Sequence, residues 1–319
     1  MPTLPTSASR PAGANWDDWV PPACPDISGI DMWPDTAPWR EDVSGRQVDP
    51  ALTARLAEVG VNRPIRTGSR YRTAKGVRSG QPFQLVYSDD LRSARYRKVY
   101  ENKVPPSWTR GLFPSTMVPL PNAPGDWVRR FGDPTCIGTD SGAIFLDADE
   151  RILYEISAFG PTTADGTLWR SGKVTAWDLD RDWREQPGGC TAAQVPLLPF
   201  VPTIEEYNSE IRHAFRLSIG GSYAKAPPIG FSRGTDGSVV GHPLRNGARL
   251  RMTEEAAQRP LQRATELPNH DLVHILAARR YGFVVMDQCG GDHAVMQPMD
   301  PRLKITIEYS LTDLEVLFP

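Results

Sequence analysis

Prolines and glycines interrupt this chain so often, 31 and 27 of them in 319 residues, that long helices are the first thing it cannot build. What survives between the breaks is a series of short apolar runs. Those at 82–87, 96–101, 143–147, 152–158 and 174–179 are rich in β-branched and aromatic residues and bounded by turn formers, so they read as strands. Successive strands without long helices between them predict a mainly β fold, an antiparallel β-sandwich of jelly-roll type with a few short helices. The 39% hydrophobic content is enough to bury a full core, and the length suits one large domain or two ordinary ones.

The first 48 residues depart from this pattern. They hold eight prolines and four of the nine tryptophans (Trp16, Trp19, Trp33 and Trp39) with neither a helical nor a strand period. Such a segment is too poor in aliphatics to form a core, yet tryptophans gain little in open solvent. The expected organisation is an extended docking arm over 1–48 and a β-sandwich body over 49–319, with the basic segment 51–130 as a subregion.

Charge follows the same division. Residues 1–50 carry 3 basic and 8 acidic side chains, residues 51–130 carry 15 and 5, and residues 131–319 carry 18 and 25. The basic residues between 63 and 98 interleave with Tyr71, Tyr87, Tyr96 and Tyr100. An acidic partner surface, including the chain's own arm, fits that block best; a plain charged surface comes next, and phosphate-backbone contact with base stacking third.

Local signals place several helices and strands. Asp49 as cap, Pro50 at the first position and Gly60 at the end predict a helix over 50–60. Thr203 and Glu206 have capping-box spacing. Alternation from Ile211 to Ile219 predicts a half-buried strand, 220–248 reads as loop, and 249–253 as strand. A helix over 271–280, capped by Asn269 and followed by Gly282, leads into strands at 283–287, 293–296 and 303–309. The final LEVLFP resembles the start of an engineered protease site without its Gln-Gly, and it receives no weight in the fold.

Candidate chemistry is sparse. No run reaches the roughly 18 to 20 apolar residues of a membrane span, and the start lacks a basic flank and an apolar stretch, so neither a signal peptide nor membrane insertion is expected. Cys24, Cys136, Cys190 and Cys289 form no C-x-x-C pair and read as free thiols. His270 and His274 stand one helical turn apart, as in zinc proteases, but Asp271 replaces the required Glu and a surface pair is the plainer reading. Asp178, Asp180 and Asp182, with Glu185, alternate as calcium ligands do, yet Trp183 stands where the loop needs Gly. Carboxylates for glycoside cleavage could come from Asp147, Glu155 and Glu210, with Tyr154, Trp169, Trp177 and His213 stacking or orienting a sugar. No phosphate-binding Gly loop or nucleophile elbow is present, and no cofactor is implied.

Four stretches resemble a bacterial family of uncharacterised, mostly exported β-rich proteins: the strand ending at Asp147 with Ile152-Leu-Tyr-Glu-Ile156; Leu168-Trp169 leading to Ala176-Trp-Asp-Leu179; Glu210-Ile-Arg-His-Ala-Phe215; and Ala277 through Tyr281-Gly-Phe-Val-Val-Met-Asp287. The likeness spans roughly residues 80–300 and implies a β-rich body with a carbohydrate target. The chain departs from it at Ser141-Gly-Ala-Ile144, where the family often has a His, and in lacking an export signal. In general character the chain is similar to minor tail proteins of phages that infect actinobacteria. That likeness implies a virion protein, part of an oligomeric assembly, docked to other virion proteins through 1–48 and binding host cell-envelope polysaccharide. A glycoside hydrolase or polysaccharide lyase is the alternative, and a nucleic-acid-binding protein the third reading.

Overall fold

The computed structural model describes residues 32–60, 63–67, 71–73, 76–78, 83–86, 143–147, 149–157, 160–161, 169–170, 173–186, 188–220, 224–262, 267–289, 294–296 and 305–319. Trp16, Trp19, Cys24, Cys136, the expected strand at 96–101 and the tyrosines and basic residues from 87 to 98 lie outside them. The described residues fall into two compact units, 71–186 in the first and 32–67 with 188–319 in the second.

The chain opens the second unit with α1 (Pro50–Gly60) and β1 (Ile65–Thr67), then enters the first. There β2 (Tyr71–Thr73) pairs with β3 (Gly76–Arg78), and β7 (Gly160–Pro161) with β8 (Trp169–Arg170). The main sheet of this unit runs β4 (Phe83–Val86), β5 (Ala143–Asp147), β6 (Ile152–Ser157) and β9 (Lys173–Asp178), in that order. β4 is parallel to β5 and the other pairings are antiparallel. Asp147 closes the β5–β6 turn by accepting the amides of Asp149 (3.1 Å) and Glu150 (3.0 Å), while Arg151 takes a left-handed φ of 54°.

The chain returns to the second unit with α2 (Ile204–Asn208), β10 (Phe215–Gly220), β11 (Arg249–Met252), α3 (Glu254–Leu261), α4 (Asn269–Arg280), β12 (Phe283–Cys289), β13 (Ala294–Met296) and β14 (Leu314–Val316). Its sheet has the order β1-β13-β10-β12-β11-β14. Here the expectation of a purely antiparallel sandwich is corrected. β1 runs parallel to β13 and β10 parallel to β12, and α4 packs on α2, α3 and β11, so the unit is mixed α/β without a closed barrel. The long excursion from β10 to β12, which contains α3 and α4, is what a parallel pairing needs.

Central position explains a second difference. All six residues of β10 are buried, including Arg216 and Ser218, so the strand is not half-exposed as its alternation suggests, and residues 211–214 precede it without strand pairing. Residues 305–309 form no strand either, although Ile65 donates its amide to the Tyr309 carbonyl at 2.8 Å. The last residues do contribute: β14 pairs with β11, and Phe318 donates its amide to the Gln47 carbonyl at 3.1 Å.

Local capping follows the sequence at Asp49 and Thr203, whereas Asn269 lies inside α4, whose N-cap is Pro268 with no side-chain cap bond. Asp49 accepts the Leu52 amide at 2.9 Å, and in α2 the Glu206 amide reaches Thr203 Oγ1 (3.1 Å) while Thr203 N reaches Glu206 Oε2 (2.8 Å). Thr203→Ala should therefore cost about 1 kcal/mol of stability, read as a lower denaturant midpoint with an unchanged slope. An unchanged midpoint would mean the cap contributes nothing.

The described part of the arm is built into the second unit. Trp33 and Trp39 are 3% and 1% exposed, and Trp39 packs on Phe200 and Phe231 with ring centroids 5.5 and 6.4 Å away. Backbone bonds fix this segment, whose Pro38–Arg40 form a 3-10 turn: the Ala214 amide donates to the Trp39 carbonyl and the Val43 amide to the Arg280 carbonyl, both at 2.7 Å. Two buried arginines of β11 complete the strap. Arg249 donates to the Pro38 and Glu41 carbonyls (both 3.3 Å), and Arg251 to the Val43 carbonyl (2.6 Å) while pairing with Glu315 (2.6 Å). Burial lowers the Arg249 pKa to about 10, with Glu41 opposing, so the guanidinium stays charged at neutral pH.

Candidate functional site

In the first unit the two glycosidase candidates are separated by strand parity. Asp147 pairs with Ile152 and Glu155 with Ile144, so the carboxyls project from opposite faces of the sheet. Each has a local role. Glu155 is buried and accepts the Trp177 Nε1 hydrogen at 3.1 Å. Asp147 closes its turn on the face shared with Tyr154, whose pKa is raised to about 12 by burial first and then by the Asp147 and Glu150 charges. Trp177 is wholly buried, which removes it as a sugar-stacking surface, and Trp169 is placed on β8 opposite Pro161.

The alternating aspartates are turn and cap groups. Asp178 accepts the Asp180 amide (3.0 Å), Asp180 pairs with Arg151 (2.7 Å), and Asp182 caps a 3-10 turn at Trp183–Glu185 while gripping Arg184 (2.5 Å). Backbone and guanidinium donors consume the oxygens a calcium ion would need. Among the described residues no three His, Cys, Asp or Glu side chains gather as metal ligands.

The histidine pair is corrected more sharply. His274 does not reach the surface: it is fully buried, with Nδ1 3.1 Å from Tyr207 Oη and Nε2 2.8 Å from Tyr309 Oη, stacked on Phe215 at 4.7 Å. Burial drives its pKa down to about 3, so the ring is neutral and donates to one tyrosine while accepting from the other. His270 is half-buried beside Asp271, which itself accepts from the Thr306 amide at 3.0 Å and from the Thr306 hydroxyl. The spacing serves a core, not a metal. His213 is likewise a latch: Nε2 meets Glu206 Oε1 at 3.2 Å and Nδ1 donates to the Ala214 carbonyl at 2.9 Å. Burial works against the Glu206 carboxylate, but His213 and Thr203 more than offset it and its pKa is lowered.

Glu210 lines a cleft. It is an open cleft of about 410 Å³ lined by Asp35, Arg40, Glu210, Arg212, Arg280 and Tyr281. Three separate segments meet there: the strap, the turn before β10 and the end of α4. Glu210 binds Arg212 (2.8 Å) and Arg280 (3.2 Å), Arg280 also binds Asp42 (2.8 Å), and Asp35 binds Arg40 (2.5 Å). The Arg280 guanidinium lies 5.3 Å from the Tyr281 ring centroid. Every wall offers fixed donors and acceptors around one aromatic ring, a lining that suits a ligand dense in hydroxyls.

A second charged group lies on the paired strands β10 and β12. Asp287 pairs with Arg216 at 2.8 Å, and the Asp236 carboxylate acts on it. Burial first, with Asp236 adding to it against the pull of Arg216, raises the Asp287 pKa to about 6. Sequence reasoning missed these groups because arginines in the last turn of a helix read as dipole partners, and no spacing ties Asp35 to Glu210 or Asp236 to Asp287.

No protein-family model, curated protein or solved structure matches the chain.

Proposed function

We propose that this chain is an assembly protein of a virion, of minor-tail type, in which the second unit carries a strapped N-terminal leader and offers a polar cleft to host-surface carbohydrate. The observation that carries the reading is the strap. Burying two tryptophans and using two buried arginines to hold carbonyls 38, 41 and 43 fixes residues 33–43 on the second unit. An anchor of that kind suits a leader that docks on a neighbouring subunit. The cleft supports the second half: its carboxylates are held by guanidiniums, and its lining is hydrogen-bonding and charged.

The glycan-cleaving alternative loses its Asp147–Glu155 pair to strand parity. Binding without cleavage is therefore the reading to test, with purified cell-envelope polysaccharide as the probe. Arg280→Ala should weaken retention of the full chain on immobilised polysaccharide about tenfold or more and release no reducing ends in either form. Equal retention by wild type and variant would remove the cleft from the proposal, and release of reducing ends would replace binding with catalysis.

A further inference from the structure

The polar cleft holds more hydrogen-bond donors than its own acids use. Three guanidiniums line it, Arg40, Arg212 and Arg280, against two carboxylates, Asp35 and Glu210. Both acids are engaged from within the wall. Glu210 gives one oxygen to Arg212 Nε (2.8 Å) and the other to Arg280 Nη1 (3.2 Å), and Asp35 accepts from Arg40 Nη1 (2.5 Å). Asp42, which is not among the lining residues, takes Arg280 Nε on one oxygen (2.8 Å) and the Ser44 amide (3.0 Å) and hydroxyl (2.6 Å) on the other.

Which nitrogens remain decides what the cleft can hold. A guanidinium meets a carboxylate with two parallel N–H groups, along either its Nε/Nη2 edge or its Nη1/Nη2 edge. In Arg280 both edges are interrupted, one at Nε by Asp42 and the other at Nη1 by Glu210, and the guanidinium lies 5.3 Å from the Tyr281 ring centroid. That side chain is a strut of the wall. Arg212 is bound through Nε alone, so its Nη1/Nη2 edge is intact among the described residues, and its side chain is 76% exposed. Arg40 is bound through Nη1 alone, which leaves its Nε/Nη2 edge.

We propose that the cleft takes an acidic glycan, with the carboxylates of uronic acid residues held on the open guanidinium edges of Arg212 and Arg40. This substrate class rests on the polysaccharide-binding reading of the same cleft and narrows it. A neutral sugar offers hydroxyls, which meet a guanidinium edge one bond at a time. A carboxylate meets it with two charge-assisted bonds at once, in the plane the edge defines. Its negative charge also answers the one guanidinium by which the lining exceeds its carboxylates.

The test is isothermal titration calorimetry of the full chain, at fixed ionic strength, with trigalacturonate, its methyl ester and a short glycerol-phosphate oligomer. The acid should bind about tenfold or more tightly than the ester. Arg212→Gln should bring that ratio close to unity, and Arg212→Lys, which keeps the charge and loses the planar edge, should not restore it. The exposure of Arg212 lets an unchanged urea midpoint report an intact fold in both variants. Tighter binding of the glycerol-phosphate oligomer than of the acid would overturn the carboxylate in favour of a phosphodiester. An acid preference that survives in Arg212→Gln overturns the site. Equal binding of acid and ester, both weakened by Arg280→Ala, overturns the substrate class and leaves glycan binding at the cleft standing. Absence of binding to all three ligands by a chain still retained on cell-envelope polysaccharide also overturns the class alone, whereas loss of that retention as well removes the reading beneath it.

Discussion

Trp39→Ala is expected to lower the stability of the second unit by about 3 to 5 kcal/mol, the cost of deleting a large aromatic from a closed core. The indole is 1% exposed and packs on Phe200 and Phe231, so no solvent-filled relaxation is available to it. Removal of residues 1–31 should abolish the incorporation into a virion that the proposed function requires. Removal of 1–48 should unfold the unit, because it takes away Trp33, Trp39 and Val43 from the core and the carbonyls that Arg249 and Arg251 hold. Urea denaturation followed by circular dichroism separates these cases. Equal midpoints for the wild type and the 1–48 deletion would show the strap to be an ornament of the surface.

The second large effect concerns acid. His274 has a folded pKa of about 3 against an ordinary value of 6.5, so the unfolded chain binds a proton there that the folded chain refuses. The contribution is fully present above pH 6.5 and is lost as the pH falls toward 3, about 3 kcal/mol between pH 7 and pH 4. Asp287 acts against it, since a carboxyl raised to about 6 takes up its proton earlier in the folded state and gains stability as the pH falls below 6. The clean measurement is therefore a difference. His274→Gln, destabilised at pH 7 by the loss of ring packing on Phe215, should recover about 3 kcal/mol relative to wild type by pH 4. A stability difference independent of pH would mean that His274 is not held neutral in the core.

Features set by neighbouring residues were legible in the sequence. Asp49 and Pro50, the Thr203–Glu206 box and the turn-bounded runs of β5, β6, β9 and β12 are specified within a few residues. Pairing was not legible, because whether β10 meets β12 in parallel depends on how a long excursion returns, which no local pattern encodes. Burial of polar groups was equally hidden. The strand at 249–253 was legible, but nothing local shows that the strap covers Arg249 and Arg251; His274 reads as a surface neighbour of His270 until Tyr207 and Tyr309, distant in sequence, close over it. The candidate site suffered most. Of the proposed catalytic and sugar-binding residues Glu210 lines this cleft, and Asp35 and Arg280, which line it too, come from opposite ends of the chain.

Native-state amide hydrogen exchange at the strap tests its role most directly. The amides of Val43 and Ala214, which bond across the junction to Arg280 and Trp39, and that of Asp49, which bonds to Val316, should exchange only when the whole second unit unfolds, with the same protection as the amides of β10. Exchange of Val43 and Ala214 at rates near those of an unstructured peptide, while β10 stays protected, would show that the leader is not anchored where the proposed assembly role requires it.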